Sequence, residues 1–288
     1  LIGIFLTWNN WPVSKNQVNY HVQRSLPITH QEGREYSYVI GEHFTGYFHE
    51  QNNLTKLMIT ETNNSPDILI EDHWQKRSLI IVDNILFYIR FIDNQYQIIQ
   101  QTLNGKVAVL FESKTPIYTL SLNENTQSIL FNHYQNNDNT VLFSYSFISK
   151  TVTPFALTNM EPPRNVYSPY FQTSQNRLFF VGLEGKKSTI YGLNGNADAY
   201  QYQINGFDKV LSLTKGKTTD ELLVVGTHKF IQGIWSVSLR TSKISLIFSH
   251  PDNDITQAIF NTKQRTLYYS FQGQRVDIKE INLSGKQS

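Results

Sequence analysis

Apolar residues in this chain come in short runs of strand length, alternating with polar positions or wholly apolar, and no long stretch repeats at the helical period. Six of these runs, HFTGYFHE, ILFYIRF, SILFNHY, RLFFVGL, ELLVVGT and TLYYSFQ, recur at nearly constant spacing. Their middles are Gly46, Phe87, Leu130, Phe179, Leu223 and Tyr268, at intervals of 41, 43, 49, 44 and 45 residues. A period in this range, filled with short strands, is what four-stranded propeller blades leave in a sequence. The expected fold is all-β: a six-bladed β-propeller of four-stranded antiparallel blades.

Each repeat reads as strands A to D, separated by turn-forming clusters. The third repeat runs PIYTLS, SILFNHYQ, TVLFSYSFI and TVTPFAL, and the fifth runs KVLSLT, ELLVVGT, GIWSVSL and KISLIF. The last repeat is one strand short, because the chain ends at GKQS soon after VDIKEINL. At the other end Val22 to His30 precede the first repeat without a blade of their own. Pairing the two leftovers makes the N-terminal strand the outer strand of the sixth blade, which closes the ring and removes an open edge.

The start of the chain reads differently. LIGIFLTW, residues 1–8, is apolar apart from one threonine, and Trp8 and Trp11 sit where indoles gather at a membrane interface. Eight residues cannot span a bilayer, which needs about 20, so they are expected to be the end of a transmembrane or signal segment. Residues 9–21 read as a linker and 22–288 as a single domain.

With 25 Lys and Arg against 23 Asp and Glu, the formal charge is only +2, and no basic stripe marks a nucleic-acid surface. The chain has no cysteine, which excludes disulfides, thiolate metal sites and a cysteine nucleophile. No Gly-x-Ser-x-Gly elbow is present either. Among the eight histidines only His43 and His49 share a strand face at short separation, and about 20 Å lies between them at the usual rise per residue. One metal ion cannot bridge that. HPDND, residues 250–254, is an Asp-rich junction that reads as a turn. No catalytic residue, metal site or cofactor is expected.

Two segments resemble a known family. LPITHQEGREYSYVIGEHFTGYF, residues 26–48, resembles the opening of TolB-like β-propeller repeats, and NRLFFVGLEGKKSTIYGLNGN, residues 176–196, is similar to the part where a Gly turn leads into an Ile-Tyr strand. The Ser-Pro-Asp-Gly turn of that family is absent; EH, VDN, LNENTQ, TSQNR, TKGKTTDE and NTKQR stand in its place. A membrane-end remnant, a linker and such a propeller together resemble the periplasmic part of CadC/ToxR-like membrane-anchored transcriptional regulators. That resemblance implies a non-catalytic extracytoplasmic sensor or protein-interaction domain on the periplasmic side of a bacterial inner membrane, tethered through its N-terminus. An independent periplasmic TolB-like adaptor and a propeller enzyme of the lactonase or glycosidase type are the competing functions.

Binding is expected on the face where the D-to-A and B-to-C loops emerge. That face carries Arg34, Glu35, Trp74, Lys114, Glu161, Arg164, Asp208 and Asp254. It combines both charge signs, an indole in a polar junction and the stiff Pro162-Pro163 loop, which suits a protein partner or a small polar ligand. The A-to-B turns on the other face hold mostly Asn, Thr, Gln and Lys.

Overall fold

A computed structural model of the protein describes residues 21–27, 34–41, 44–61, 67–135, 139–155, 163, 165–194, 200–250, 254–262, 265–272 and 276–284. The expected ends at residues 1–8 and 9–20 therefore lie outside the described residues, as do Glu161 and Arg164.

The described part is all-β and antiparallel, apart from one 3-10 turn and one parallel bridge. β1 spans His21–Pro27. The first repeat is β2 (Arg34–Ile40), β3 (Phe44–Gln51), β4 (Leu54–Glu61) and β5 (Asp67–Asp72). The second is β6 (Gln75–Val82), β7 (Ile85–Ile92), β8 (Gln95–Thr102) and β9 (Val107–Ser113), and the third is β10 (Ile117–Asn123), β11 (Ser128–Gln135), β12 (Asn139–Ser146) and β13 (Val152–Pro154). Each of these last two forms a separate four-stranded sheet.

The next two repeats depart from the expected boundary. β14 (Tyr167–Gln172), β15 (Arg177–Glu184) and β16 (Lys187–Asn194) are followed by a single strand of 16 residues, β17 (Tyr200–Lys215). Its first half pairs with β16 and its second half with β18 (Glu221–His228), which continues into β19 (Ile231–Ser238) and β20 (Ile244–Phe248). The junction read from the sequence as a loop is thus a bend within one strand. Gly206, at φ +111°, and two register shifts from Phe207 to Ser212 let the chain pass from one repeat to the next without leaving the extended state, so β14 to β20 form one seven-stranded sheet.

β21 (Asp254–Asn261), β22 (Thr266–Gln272) and β23 (Val276–Ser284) form the last repeat, and β1 lies antiparallel along β23, from His21 opposite Ser284 to Pro27 opposite Lys279. The N-terminal strand thus supplies the fourth strand that the last repeat lacks, beginning at His21 rather than Val22.

The core is divided into slabs between repeats. Phe48, Leu57 and Leu86 bind the first repeat to the second, Ile98, Ile117 and Phe131 the second to the third, and Leu130, Phe171 and Phe180 the third to the fourth. Phe179, Phe207 and Trp235 lie between the fourth and fifth, Val225, Ile255 and Tyr269 between the fifth and sixth, and Tyr38, Tyr47 and Tyr268 between the sixth and first.

A belt of polar side chains joins the first strands of successive repeats. These strands touch in chain order, β2 on β6, β6 on β10, β10 on β14, β14 on β17 and β17 on β21, and β21 also touches β2. Every one of them carries a register shift. Ser78 N–H donates to Ser37 Oγ (3.1 Å), Leu120 N–H to Ser78 Oγ (2.7 Å) and Phe171 N–H to Ser121 Oγ (2.8 Å). Ser168 Oγ donates to Leu211 O (3.1 Å), Thr214 Oγ1 to Ala258 O (3.0 Å) and Gln257 Nε2 to Tyr38 O (2.9 Å). Ser37, Ser78 and Ser168 have φ of 54°, 53° and 48°. Short hydroxyl residues tolerate this left-handed bulge better than the β-branched residues around them.

Ser78 both donates and accepts in this belt, so Ser78→Ala leaves the Leu120 N–H without its partner and is expected to cost about 1–2 kcal/mol. Ser149→Ala, at an exposed turn, is expected to change stability by less than about 0.5 kcal/mol. Urea unfolding of the two variants provides the comparison.

Candidate functional site

A pocket of about 410 Å³ lies at the end of the strands where four A-to-B turns converge. Glu124 follows β10, Thr173 and Ser174 follow β14, Lys215 to Thr219 join β17 to β18, and Thr262 follows β21. Tyr170, Phe171 and Gln172, the last residues of β14, also line it.

Local hydrogen bonds preform this wall. Glu221 is buried at the start of β18, where its Oε2 accepts from Lys217 N–H (3.0 Å) and its Oε1 accepts from the Ser236 hydroxyl. Gly216 N–H donates to Glu221 O (2.9 Å), which closes the same turn. A side chain at 216 would meet Glu221 Cγ at 2.6 Å, so glycine leaves the room this bonding needs. Neighbouring turns are also tied together. Asn125 Nδ2 donates to Thr173 O (3.2 Å), and Gln172 Nε2 donates to Thr219 O (3.0 Å).

Burial lowers the Lys217 amine below the ordinary lysine value; the Glu221 charge works against this and the Arg265 charge adds to it. The Lys217 Nζ stands 6.0 Å from the centre of the Phe260 ring. Burial also pushes the Tyr170 phenol well above its ordinary value, so it stays protonated. The pocket thus offers cationic amines, hydroxyls and an aromatic wall. No general base is paired with a nucleophile among its lining residues.

Of the expected residues that the structure describes, none lines this pocket. Arg34, Trp74, Lys114, Asp208 and Asp254 lie near the opposite strand ends, where first strands begin. Arg34 stands 3.9 Å from Glu50 and 5.1 Å from the Tyr36 ring centre. Trp74 is 37% exposed, as its polar junction implied, and Lys114 and Asp254 are exposed. Asp208 accepts from Phe230 N–H (3.3 Å). Glu35 is a correction: it is fully buried, paired across the strands with His49, because its side chain takes the inward face of β2. It is not available to a partner.

One Ser–His contact merits a test. His133 Nε2 lies 2.6 Å from both Ser113 Oγ and Thr115 Oγ1, and its ring stands edge-on to Phe111, Phe131 and Phe143. Two hydroxyls share one ring nitrogen, and the arrangement fastens the β9–β10 junction. Burial lowers the His133 pKa. Its folded value is below the unfolded value of about 6.5, so the unfolded chain takes up the proton first and stability falls as pH drops through that range. Melting temperatures at about pH 7.5 and 5.5 are expected to differ less in His133→Gln than in the parent. Among the described residues, no three His, Asp or Glu side chains are placed to hold a metal.

No family model and no curated protein matches this chain. Solved structures do. TolB from Acinetobacter baumannii aligns with a TM-score of 0.64 at 14% identity, covering 85% of this chain and 65% of TolB. The β-propeller domain of the Trilobed protease from Pyrococcus furiosus aligns with a TM-score of 0.59 at 14% identity, covering 89% of this chain and 86% of that one. The fold is a TolB-like β-propeller. An oligogalacturonate lyase from Vibrio parahaemolyticus shares it too, with a TM-score of 0.62 at 9% identity over 88% of this chain and 79% of the lyase. Propellers of this shape therefore include enzymes, and the chain spans less than two thirds of the TolB chain. No helix among the described residues is long and apolar enough to cross a membrane.

Proposed function

We propose that this chain is a six-bladed propeller, completed by β1 on β23, that acts as the non-catalytic extracytoplasmic sensor domain of a membrane-anchored transcriptional regulator. The observation that carries this reading is the shared location of pocket and entry point. β23 ends at Ser284 on the strand end where the A-to-B turns lie, and His21 pairs with Ser284, so the chain enters the fold on the pocket's face. A ligand bound among the A-to-B turns then sits beside the segment that leads to the membrane. The six slabs between repeats and the belt of six interstrand bonds support the blade count and the closed ring. The opposite face, with Trp74, Arg34 and Lys114, is free for a protein partner.

These 288 residues contain no cysteine, so Ser174→Cys adds one thiol to them, on the pocket rim, and the unsubstituted full-length protein serves as the labelling control. In spheroplasts expressing the natural full-length protein, a membrane-impermeant maleimide is expected to label this thiol and to abolish the transcriptional response. A thiol labelled only after lysis overturns the location, and labelling without loss of response overturns the pocket's role. On the other face, Trp74→Ala is expected to change stability by less than about 0.5 kcal/mol while weakening capture of a protein partner.

A further inference from the structure

We infer that two copies of this chain pair through β9, the outer strand of the second repeat, to form a weak symmetric dimer in which β9 runs antiparallel to β9 of the second copy. This surface is separate from the pocket and from the face that carries Trp74.

Each repeat has an outer strand whose far side is a row of backbone groups, and such an edge recruits other strands unless it is guarded. Most of the described outer strands are guarded. β5 carries Asp67, Glu71 and Asp72, and β1 carries Arg24 and ends in Pro27. β13 is three residues long and also ends in proline. The outer half of β17 turns Gln201, Gln203 and Asn205 to solvent, and β20, five residues long, exposes Leu246 alone. The first half of β9 has no such guard. Val107 at 50% and Val109 at 45% exposure stand on either side of the exposed Ala108, and among the described residues no strand pairs with the far side of β9.

The backbone of this segment is set to bond outward. Across the β8–β9 turn Thr102 N–H donates to Lys106 O (2.9 Å), and bonded and unbonded pairs alternate along an antiparallel ladder. Ala108, opposite Gln100, is therefore the next residue bonded to β8, whereas Val107 and Val109, opposite Gln101 and Ile99, turn their N–H and C=O groups away from it. Two outward residues separated by one are what a further antiparallel strand bonds.

The edge is complementary to itself. With a two-fold axis through Ala108, Val107 lies opposite Val109 of the second copy and Val109 opposite its Val107, so every outward residue exchanges hydrogen bonds with another outward residue. The exposed valines then cover one another, and β-branched pairs across strands are favourable. The two alanines meet at the unbonded central pair, where side chains stand closest, and their small size suits that approach. Lys106 is the one charge between Asn104 and Phe111, and it falls opposite Leu110 of the second copy, so no like charges are opposed. The four-stranded sheet of β6 to β9 thus continues into its copy. A register shift after Val109 ends the straight edge, so the pairing is short and the dimer weak.

Sedimentation velocity of the chain at about 5 to 200 µM, which spans weak affinities, tests this. A reversible rise from monomer to dimer is expected, half complete on the order of 100 µM, as suits a small interface. Val109→Lys is expected to weaken the dimer at least about tenfold while leaving the melting temperature little altered, because the side chain is exposed. Leu246→Lys, on the edge of β20, is expected to leave the dimer intact. In hydrogen exchange the Val107 and Val109 amides are expected to gain protection as the concentration rises. A chain that stays monomeric, a dimer that survives Val109→Lys, or one that Leu246→Lys abolishes overturns the inference. So does a dimer in which the Val107 and Val109 amides exchange as freely as in the monomer.

Discussion

Removing His21–Pro27 is expected to cost about 5 kcal/mol, comparable to the whole stability of a marginal domain, and to leave a protein that aggregates near its lowered melting temperature. β1 is bonded to β23 along its length, from His21 opposite Ser284 to Pro27 opposite Lys279. Without it, β23 becomes an edge strand with unpaired backbone groups, which recruits other chains. Differential scanning fluorimetry and light scattering on the truncated chain measure both effects. A synthetic HVQRSLP peptide added in excess is expected to recover part of the lost stability, because it binds only the folded chain. A truncated chain that melts like the parent would show that β23 does not depend on this partner.

Gly226→Ala is expected to be nearly as damaging, at about 3 kcal/mol, the upper end for overpacking a tight core. A β-carbon at 226 would stand 2.2 Å from Lys209 O and 3.1 Å from Val210 Cα, and both neighbours are backbone. Relief requires β17 to move off β18 just after the bend that carries it from the fourth repeat into the fifth. The same shift disturbs the Trp235 indole, whose Nε1 donates to Gly226 O (3.1 Å). Gly105→Ala serves as the contrast. Its added carbon meets nothing within 4 Å, but φ is +88°, so it pays only backbone strain, about 1 kcal/mol. Urea unfolding of both variants separates lack of space from lack of conformational freedom, and an equal loss in both would refute the packing argument.

The blade period was legible because it was set by burial. Phe87, Leu130, Phe179, Leu223 and Tyr268, all anchors of the spacing, lie in second strands covered on both faces and are at most 9% exposed. Such strands are apolar at most of their positions, and that pattern survives in the sequence without any knowledge of the fold. The missing outer strand of the last repeat was legible for the same reason, as an edge that lacked a partner.

The belt was not legible. Ser37, Ser78 and Ser168 read as ordinary polar positions of half-buried strands, and only the register shifts beside them disclose that each reaches the next repeat. In β17 the NGFD stretch carries turn chemistry and Gly206 indeed bends the chain, but the backbone bonding continues through it. The pocket was hidden in the TKGKTT turn, whose lysines and threonines resemble any solvated loop until neighbouring turns are brought against them. Glu35 stands at the head of a strand, where a charged residue usually faces water, but here the pleat turns it inward.

Each apolar slab belongs to two repeats, and that arrangement bears on how the protein can change. In an open solenoid the terminal repeat needs a polar cap, and internal repeats can be added or lost with neighbours that still match. In the closed ring proposed above, the loss of any one repeat would strip a lid from two slabs at once and leave the remaining strands too few to meet at the old angle. The chain thus tolerates variation in its turns, where the pocket lies, far more readily than in its number of repeats. If the pocket is a ligand site, as proposed, ligand preference is then the property freest to diverge between relatives that keep the same architecture.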